Sequence, residues 1–123
     1  MKPRRTGRRR TARRQSGKAH HNVYVILLKE EVSQLRQVIA ENPNRNPSKP
    51  CVYVGMTGLN PDERFQNHLK GVKSSYYVKH YAVKLLPELY EFLNPMPYEA
   101  ALAMERDLAE DLRAEGYTVT GGH

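Results

Sequence analysis

A chain of 123 residues with one cysteine, Cys51, has room for a single domain with a modest core and no internal disulfide. The formal net charge of +7 is unevenly spread: residues 1 to 19 hold nine Lys and Arg and no acid, which leaves eleven against thirteen acids, a net of −2, in the remainder. No Cys/His cluster has zinc-site spacing, the longest apolar run (VYVILL, 23–28) is too short to span a bilayer, and no apolar stretch follows the first arginines as a secretory signal requires. These features point to a reducing, cytoplasmic setting and no membrane partner.

The basic start comes first in chain order. Residues 1–20 contain Arg4, Arg5, Arg8, Arg9, Arg10, Arg13 and Arg14. Such a run cannot bury apolar surface, so it is expected to be disordered when free and drawn to nucleic acid phosphates. The plainer reading of the same residues is a solubilising tail or a nuclear or organellar address.

The folded domain is expected over 21–123. HNVYVILL alternates as a strand, with Val23, Val25 and Leu27 on one face and Tyr24, Ile26 and Leu28 on the other. KEEVSQLRQVIAEN reads as a short helix facing inward through Val32, Leu35 and Ile39, and NPNRNPSKP, barred from helix by its prolines, is a loop. CVYVGM predicts a second strand, broken by Gly55 and Gly58. In NPDERFQNHLKG, Asn60 is an N-cap, Pro61 suits the first helical position, Glu63 completes a capping box and Gly71 marks the stop. Phe65 and Leu69 are expected to face the core, with Arg64 and His68 as a displaced second pair.

Further on, a helix is expected around 74 to 82 and a strand within 84 to 93. YEAALAMERDLAEDLRAEG is a helix ended by Gly116, and YTVT is a last short strand. The order implies an α/β fold: a small mixed or antiparallel three- to four-stranded sheet flanked by helices.

One residue breaks the pattern. Ala101, Glu105, Leu108 and Leu112 fall on one helical face, and all but Glu105 are apolar, while Arg106, Asp107, Glu110 and Asp111 take the solvated side. A buried carboxylate needs a partner, either a basic side chain, a set of backbone donors or a metal ion.

In this arrangement the chain resembles the GIY-YIG nuclease superfamily. Asn22-Val23-Tyr24 matches the first tyrosine motif, with Asn in place of the usual Gly, and Tyr53-Val54-Gly55 matches the second. Arg64 and His68 follow on a helix, and Glu105 sits in the helical run ALAMER. The match covers roughly 21 to 122. It departs from the family pattern in three places: residues 29–50 stand as an insertion where a tight hairpin is usual, Lys73 stands near the place of a second histidine, and GYTVTGGH lacks the asparagine that often follows the glutamate helix.

The resemblance implies a metal-dependent endonuclease that hydrolyses phosphodiester bonds, DNA more than RNA, with Mg²⁺ or Mn²⁺ held by Glu105. It implies that Arg64 grips the phosphate, that Tyr24 or Tyr53 serves the attacking water, and that His68 or Lys73 supplies the positive charge a tyrosine base requires. Lys73 and the tail arginines would contact nucleic acid. Without the resemblance, the tyrosines read as packed strand residues, and Arg64 and His68 as helix surface. The alternative functions are an inactive nucleic-acid-binding protein on the same scaffold and a ribonucleoprotein-associated factor. The Tyr76-Tyr77 pair and Tyr81, interleaved with Lys73, Lys79 and Lys84, could stack on bases.

Overall fold

A computed structural model describes residues 19–122, so the tail arginines Arg4, Arg5, Arg8, Arg9, Arg10, Arg13 and Arg14 lie outside the described residues. Four strands form one mixed sheet: β1 (Asn22–Leu28), β2 (Cys51–Thr57), β3 (Ala82–Leu85) and β4 (Thr118–Gly121), in the spatial order β3-β1-β2-β4. β1 pairs antiparallel with β2 and β3, and β2 pairs parallel with β4. Central strands are buried on both sides, which is why Val23, Tyr24, Val25 and Ile26 are all within 1 % of complete burial.

Four α-helices pack around the sheet: α1 (Arg36–Glu41), α2 (Pro61–Leu69), α3 (Tyr76–Tyr81) and α4 (Tyr98–Ala114). The expected capping box is present at α2: Asn60 accepts from the Asp62 amide and Glu63 reaches back to the Asn60 amide. Gly71 and Gly116 follow α2 and α4 with φ of 85° and 100°, a left-handed conformation that favours glycine after a helix. On α4, Ala101, Leu108 and Leu112 are buried as the stripe requires, and Glu105 is buried with them. No helix among the described residues is long and apolar enough to cross a membrane.

Several local expectations are corrected. The segment after β1 is a 3-10 turn (Glu30–Gln34) followed by the six-residue α1, not one helix. The break moves the inward face to Val32 and Val38 and leaves Leu35 exposed. β2 runs straight through Gly55. Strand β3 begins earlier than expected, and the stretch to Leu93 forms two 3-10 turns, Pro87–Leu89 and Glu91–Leu93. Asp111, expected on the solvated side of α4, is buried.

Two asparagines close the ladder edges where no strand is available. Beyond β3, Asn94 donates to the Val23 carbonyl (2.8 Å) and accepts from the Val23 amide (2.9 Å), and Met96 then pairs with His21 through backbone bonds. On the far side of β4, Asn42 accepts from the Val119 amide (2.8 Å) and donates to its carbonyl (3.0 Å). A carboxamide presents one donor and one acceptor side by side, so it can satisfy one residue of strand edge as a peptide group would.

Candidate active site

The register of β1 against β2 builds the floor of the site. Tyr24 faces Gly55 and Ile26 faces Tyr53, so both phenols lie on one side of the sheet as diagonal neighbours. Their ring centroids are 6.3 Å apart. The long connection over 29–50 does not prevent the two tyrosine strands from pairing. Gly55 provides the room: a Cβ there would lie 2.5 Å from Tyr24 Oη and 3.0 Å from Tyr53 Cε2. Gly121 on β4 does the same behind Tyr53, since its Cβ would fall 2.8 Å from Tyr53 Cε1 and 2.4 Å from the Val54 carbonyl. A glycine inside a strand pattern is the signal for such close approach.

Helix α2 supplies the next side chains, with an inward face that differs from the expected one. Leu69 is 42 % exposed and Phe65 only partly buried, whereas His68 is completely buried. Tyr24 Oη and His68 Nε2 are hydrogen-bonded at 2.8 Å, and the His68 ring stands edge-on to Tyr53 at 5.6 Å. The hydrogen bond explains the exchange, because it gives a buried imidazole a partner that a leucine on this face would deny to Tyr24. His68 Nδ1 has no partner in the interior.

Arg64 lies one turn before His68. Its guanidinium donates to two main-chain carbonyls, Val72 (3.0 Å) and Lys73 (2.8 Å). Lys73 holds a φ of 47°, rare for a residue with a side chain, and this turn aims its carbonyl at Arg64. Carbonyls orient the guanidinium without cancelling its charge, as a carboxylate would. Lys73 thus joins the cluster through its backbone, and its side chain is exposed.

Glu105 comes from α4 and is 9 % exposed. Burial raises its pKa to about 7, and the Arg106 cation opposes that shift only in part. Among the described residues no hydrogen bond or ion pair engages this carboxylate. Arg64 lowers and Glu105 raises the pKa of both tyrosines, which places the two charges around the same pair of phenols. Burial is the larger influence on Tyr24 and Tyr53, and it raises the pKa of both, most strongly that of Tyr24. Burial, reinforced by Arg64, also lowers the His68 pKa to about 4. His68 is therefore neutral at pH 7 and does not supply the positive charge expected of it, whereas the Arg64 cation does act on both phenols.

No family model, curated protein or solved structure matches this chain.

The functional reading accordingly rests on the geometry. Tyr24, Tyr53 and His68, from β1, β2 and α2, are in contact, and the charges of Arg64 on α2 and Glu105 on α4 act on both phenols. No group of three His, Cys, Asp or Glu among the described residues could hold a metal unaided. The donor set is one hard oxygen ligand, a buried carboxylate whose charge Arg106 offsets only in part. That fits a cation that keeps most of its waters and takes other oxygens from substrate, as Mg²⁺ does, and does not fit zinc. Sequence reasoning overlooked the carbonyls of Val72 and Lys73, because main-chain acceptors leave no mark on residue identity.

Proposed function

We propose that this chain is a metal-dependent endonuclease of the GIY-YIG kind, hydrolysing phosphodiester bonds in nucleic acid, DNA more than RNA. The observation that carries the reading is the meeting of an unpaired buried carboxylate, Glu105, with a charged guanidinium, Arg64, around two adjacent phenols. A structural ion pair would have joined the acid to the base. Here each is held separately, the acid by burial and the base by carbonyls, which leaves both charges for something placed between them.

A phosphodiester is an anion that gains charge on its phosphoryl oxygens as water attacks. Arg64, already oriented, would grip two of those oxygens through its planar fork. Glu105 would hold a divalent cation, Mg²⁺ or Mn²⁺, which would supply Lewis acidity toward the phosphate. Tyr53 would donate its hydroxyl proton to a phosphate oxygen, a role suited to a phenol that stays protonated.

The proton from the attacking water would pass through Tyr24. The phenol is too weakly acidic to wait as phenolate, but it is hydrogen-bonded to a neutral imidazole. His68 Nε2 would take the Tyr24 proton as Tyr24 takes one from water, so no free phenolate forms. Lys73 and the arginines of residues 1–20 would hold the nucleic acid backbone without reading its sequence.

The test is cleavage of labelled single- and double-stranded DNA and RNA with Mg²⁺ or Mn²⁺, comparing wild type with Arg64→Ala and Glu105→Ala. Cutting by wild type that both substitutions abolish supports the proposal. Binding without cutting by wild type, under every metal condition, would leave a nucleic-acid-binding scaffold in its place.

A further inference from the structure

Helix α3 carries an aromatic cluster that neither the core nor the cleavage site uses. Val78 anchors the helix in the core, and Tyr77 is half-buried with its hydroxyl accepting from Gln37 Nε2. Tyr76 is different: it is 65 % exposed, the most exposed large hydrophobic residue on the described surface. Three rings gather on it, His80 at 4.5 Å, Tyr77 at 5.9 Å and Tyr81 at 6.4 Å between centroids. Isolated exposed apolar groups need no explanation, but an aromatic ring braced by others with a face left to solvent is a platform.

The chain segment that bears it carries one sign of charge, although Glu31, from another segment, acts on Tyr81. From Arg64 to Leu86 the chain has five Lys or Arg (Arg64, Lys70, Lys73, Lys79 and Lys84) and no acid. Residues 20–123 hold eleven Lys and Arg and thirteen acids, so outside 64–86 the balance is six against thirteen. The positive charge of the folded body is thus concentrated on the segment that bears the platform.

The platform is also close to Arg64. Lys73, whose carbonyl accepts from Arg64, precedes Tyr76 by three residues, a span of at most about 11 Å even when fully extended. Lys79 folds back from α3 over the same turn, where a Cβ on Gly71 would lie 3.2 Å from its Nζ. One turn therefore links the guanidinium to the exposed ring.

Resting on the nuclease reading above, we infer that Tyr76, braced by His80 and Tyr81, stacks on an unpaired base next to the phosphate held by Arg64. The substrate class is then nucleic acid with a single-stranded stretch, such as a flap, a loop or a fork, rather than continuous duplex. Stacking needs a base whose face is free, which a base inside a duplex lacks, while the lysines take the phosphates of any strand.

The experiment measures binding of the full chain to one labelled oligonucleotide, offered as a single strand and as a blunt duplex, with chelator present so that nothing is cut. Tyr76→Ala is expected to weaken single-strand binding about tenfold while duplex binding stays within about twofold. Tyr76→Phe keeps the ring and is expected to bind as wild type. His80→Ala, which only removes a brace, serves as the second variant and is expected to shift single-strand binding in the same direction by a smaller factor. Equal losses on both substrates, or no loss on the single strand, would overturn the inference. Because no cleavage enters the readout, the platform is confirmed or refuted independently: a wild type that cuts nothing yet shows the Tyr76→Ala discrimination would defeat the nuclease reading alone.

Discussion

Tyr24 Oη and His68 Nε2 lie 2.8 Å apart in the interior, joining the central strand to helix α2 through one neutral hydrogen bond. Neutrality at rest is imposed by burial, which raises the phenol pKa and lowers the imidazole pKa. Close by, Glu105 is shifted upward. The site therefore contains two titrations with opposite effects on stability.

The first prediction concerns those signs. The His68 pKa falls from 6.5 unfolded to about 4 folded, so the unfolded state binds more protons between these values and stability drops as pH falls through that window. The Glu105 pKa rises from 4.5 to about 7, so the folded state binds more protons and stability drops as pH rises through that window. In wild type the two slopes oppose each other from about 4.5 to 6.5. Urea unfolding in metal-free buffer should show a clear loss of stability on acidification in Glu105→Gln, up to about 3 kcal/mol relative to wild type. His68→Asn should show the reverse slope. Parallel pH curves for all three proteins would contradict the assignment.

At pH 8 without metal, Glu105→Gln should be more stable than wild type by about 2 kcal/mol, because it removes a buried charge that Arg106 offsets only in part. Adding Mg²⁺ should raise the melting temperature of wild type and leave that of Glu105→Gln unmoved, since a ligand stabilises only the state that binds it. Cleavage by the variant should fall on the order of a thousandfold. A variant less stable than wild type, or stabilised equally by Mg²⁺, would mean the carboxylate has a partner other than a metal.

If Glu105 holds the metal as proposed, proton and metal compete for the same carboxylate. At low Mg²⁺ the cleavage rate should climb with pH through about 7, where Glu105 ionises, and higher Mg²⁺ should move that limb to lower pH. A limb that stays in place as Mg²⁺ is varied would assign it to another group.

Arg64→Lys separates charge from geometry. The variant keeps a cation but loses the fork that bonds Val72 and Lys73 and is proposed to grip phosphate. kcat/KM is expected to fall on the order of a hundredfold. Activity within a few fold of wild type would show that positive charge alone suffices.

Gly55→Ala tests the room under the phenols. Its methyl would lie 2.5 Å from Tyr24 Oη, so the ring must move off His68. Denaturant titration should show a loss of roughly 1–3 kcal/mol, accompanied by a loss of cleavage. Unchanged stability and activity would mean that the two strands are more loosely packed than the register implies.

Some of this was legible from the chain alone. The capping box at Asn60 and Glu63, the glycine stops at Gly71 and Gly116 and the apolar stripe of α4 are local signals, written within one turn of helix, and all of them hold. The two strands bearing Tyr24 and Tyr53 were likewise visible from their alternation of β-branched and aromatic residues. The misreadings share a cause. Phe65 and Leu69 looked like the inward face of α2 because leucine outranks histidine in any scale of burial, yet His68 is the buried one. Its partner, Tyr24, is 44 residues away in the chain. Asn42 and Asn94 carry no local signal of their role, because a side chain that completes a sheet edge is recognised only once that edge is placed.

By itself the sequence determined which segments become helix or strand, where most of them stop, and that one acid is placed among apolar neighbours. Those outcomes depend on interactions within a few residues of chain, whose spacing is preserved in the order of the letters. Only the tertiary structure decided that Glu105 is buried with no hydrogen bond or ion pair among the described residues, that Arg64 rests on carbonyls and that His68 stays neutral. Each of these depends on distance and burial between elements far apart in the chain, and the energy of a charge is fixed by what surrounds it rather than by what precedes it.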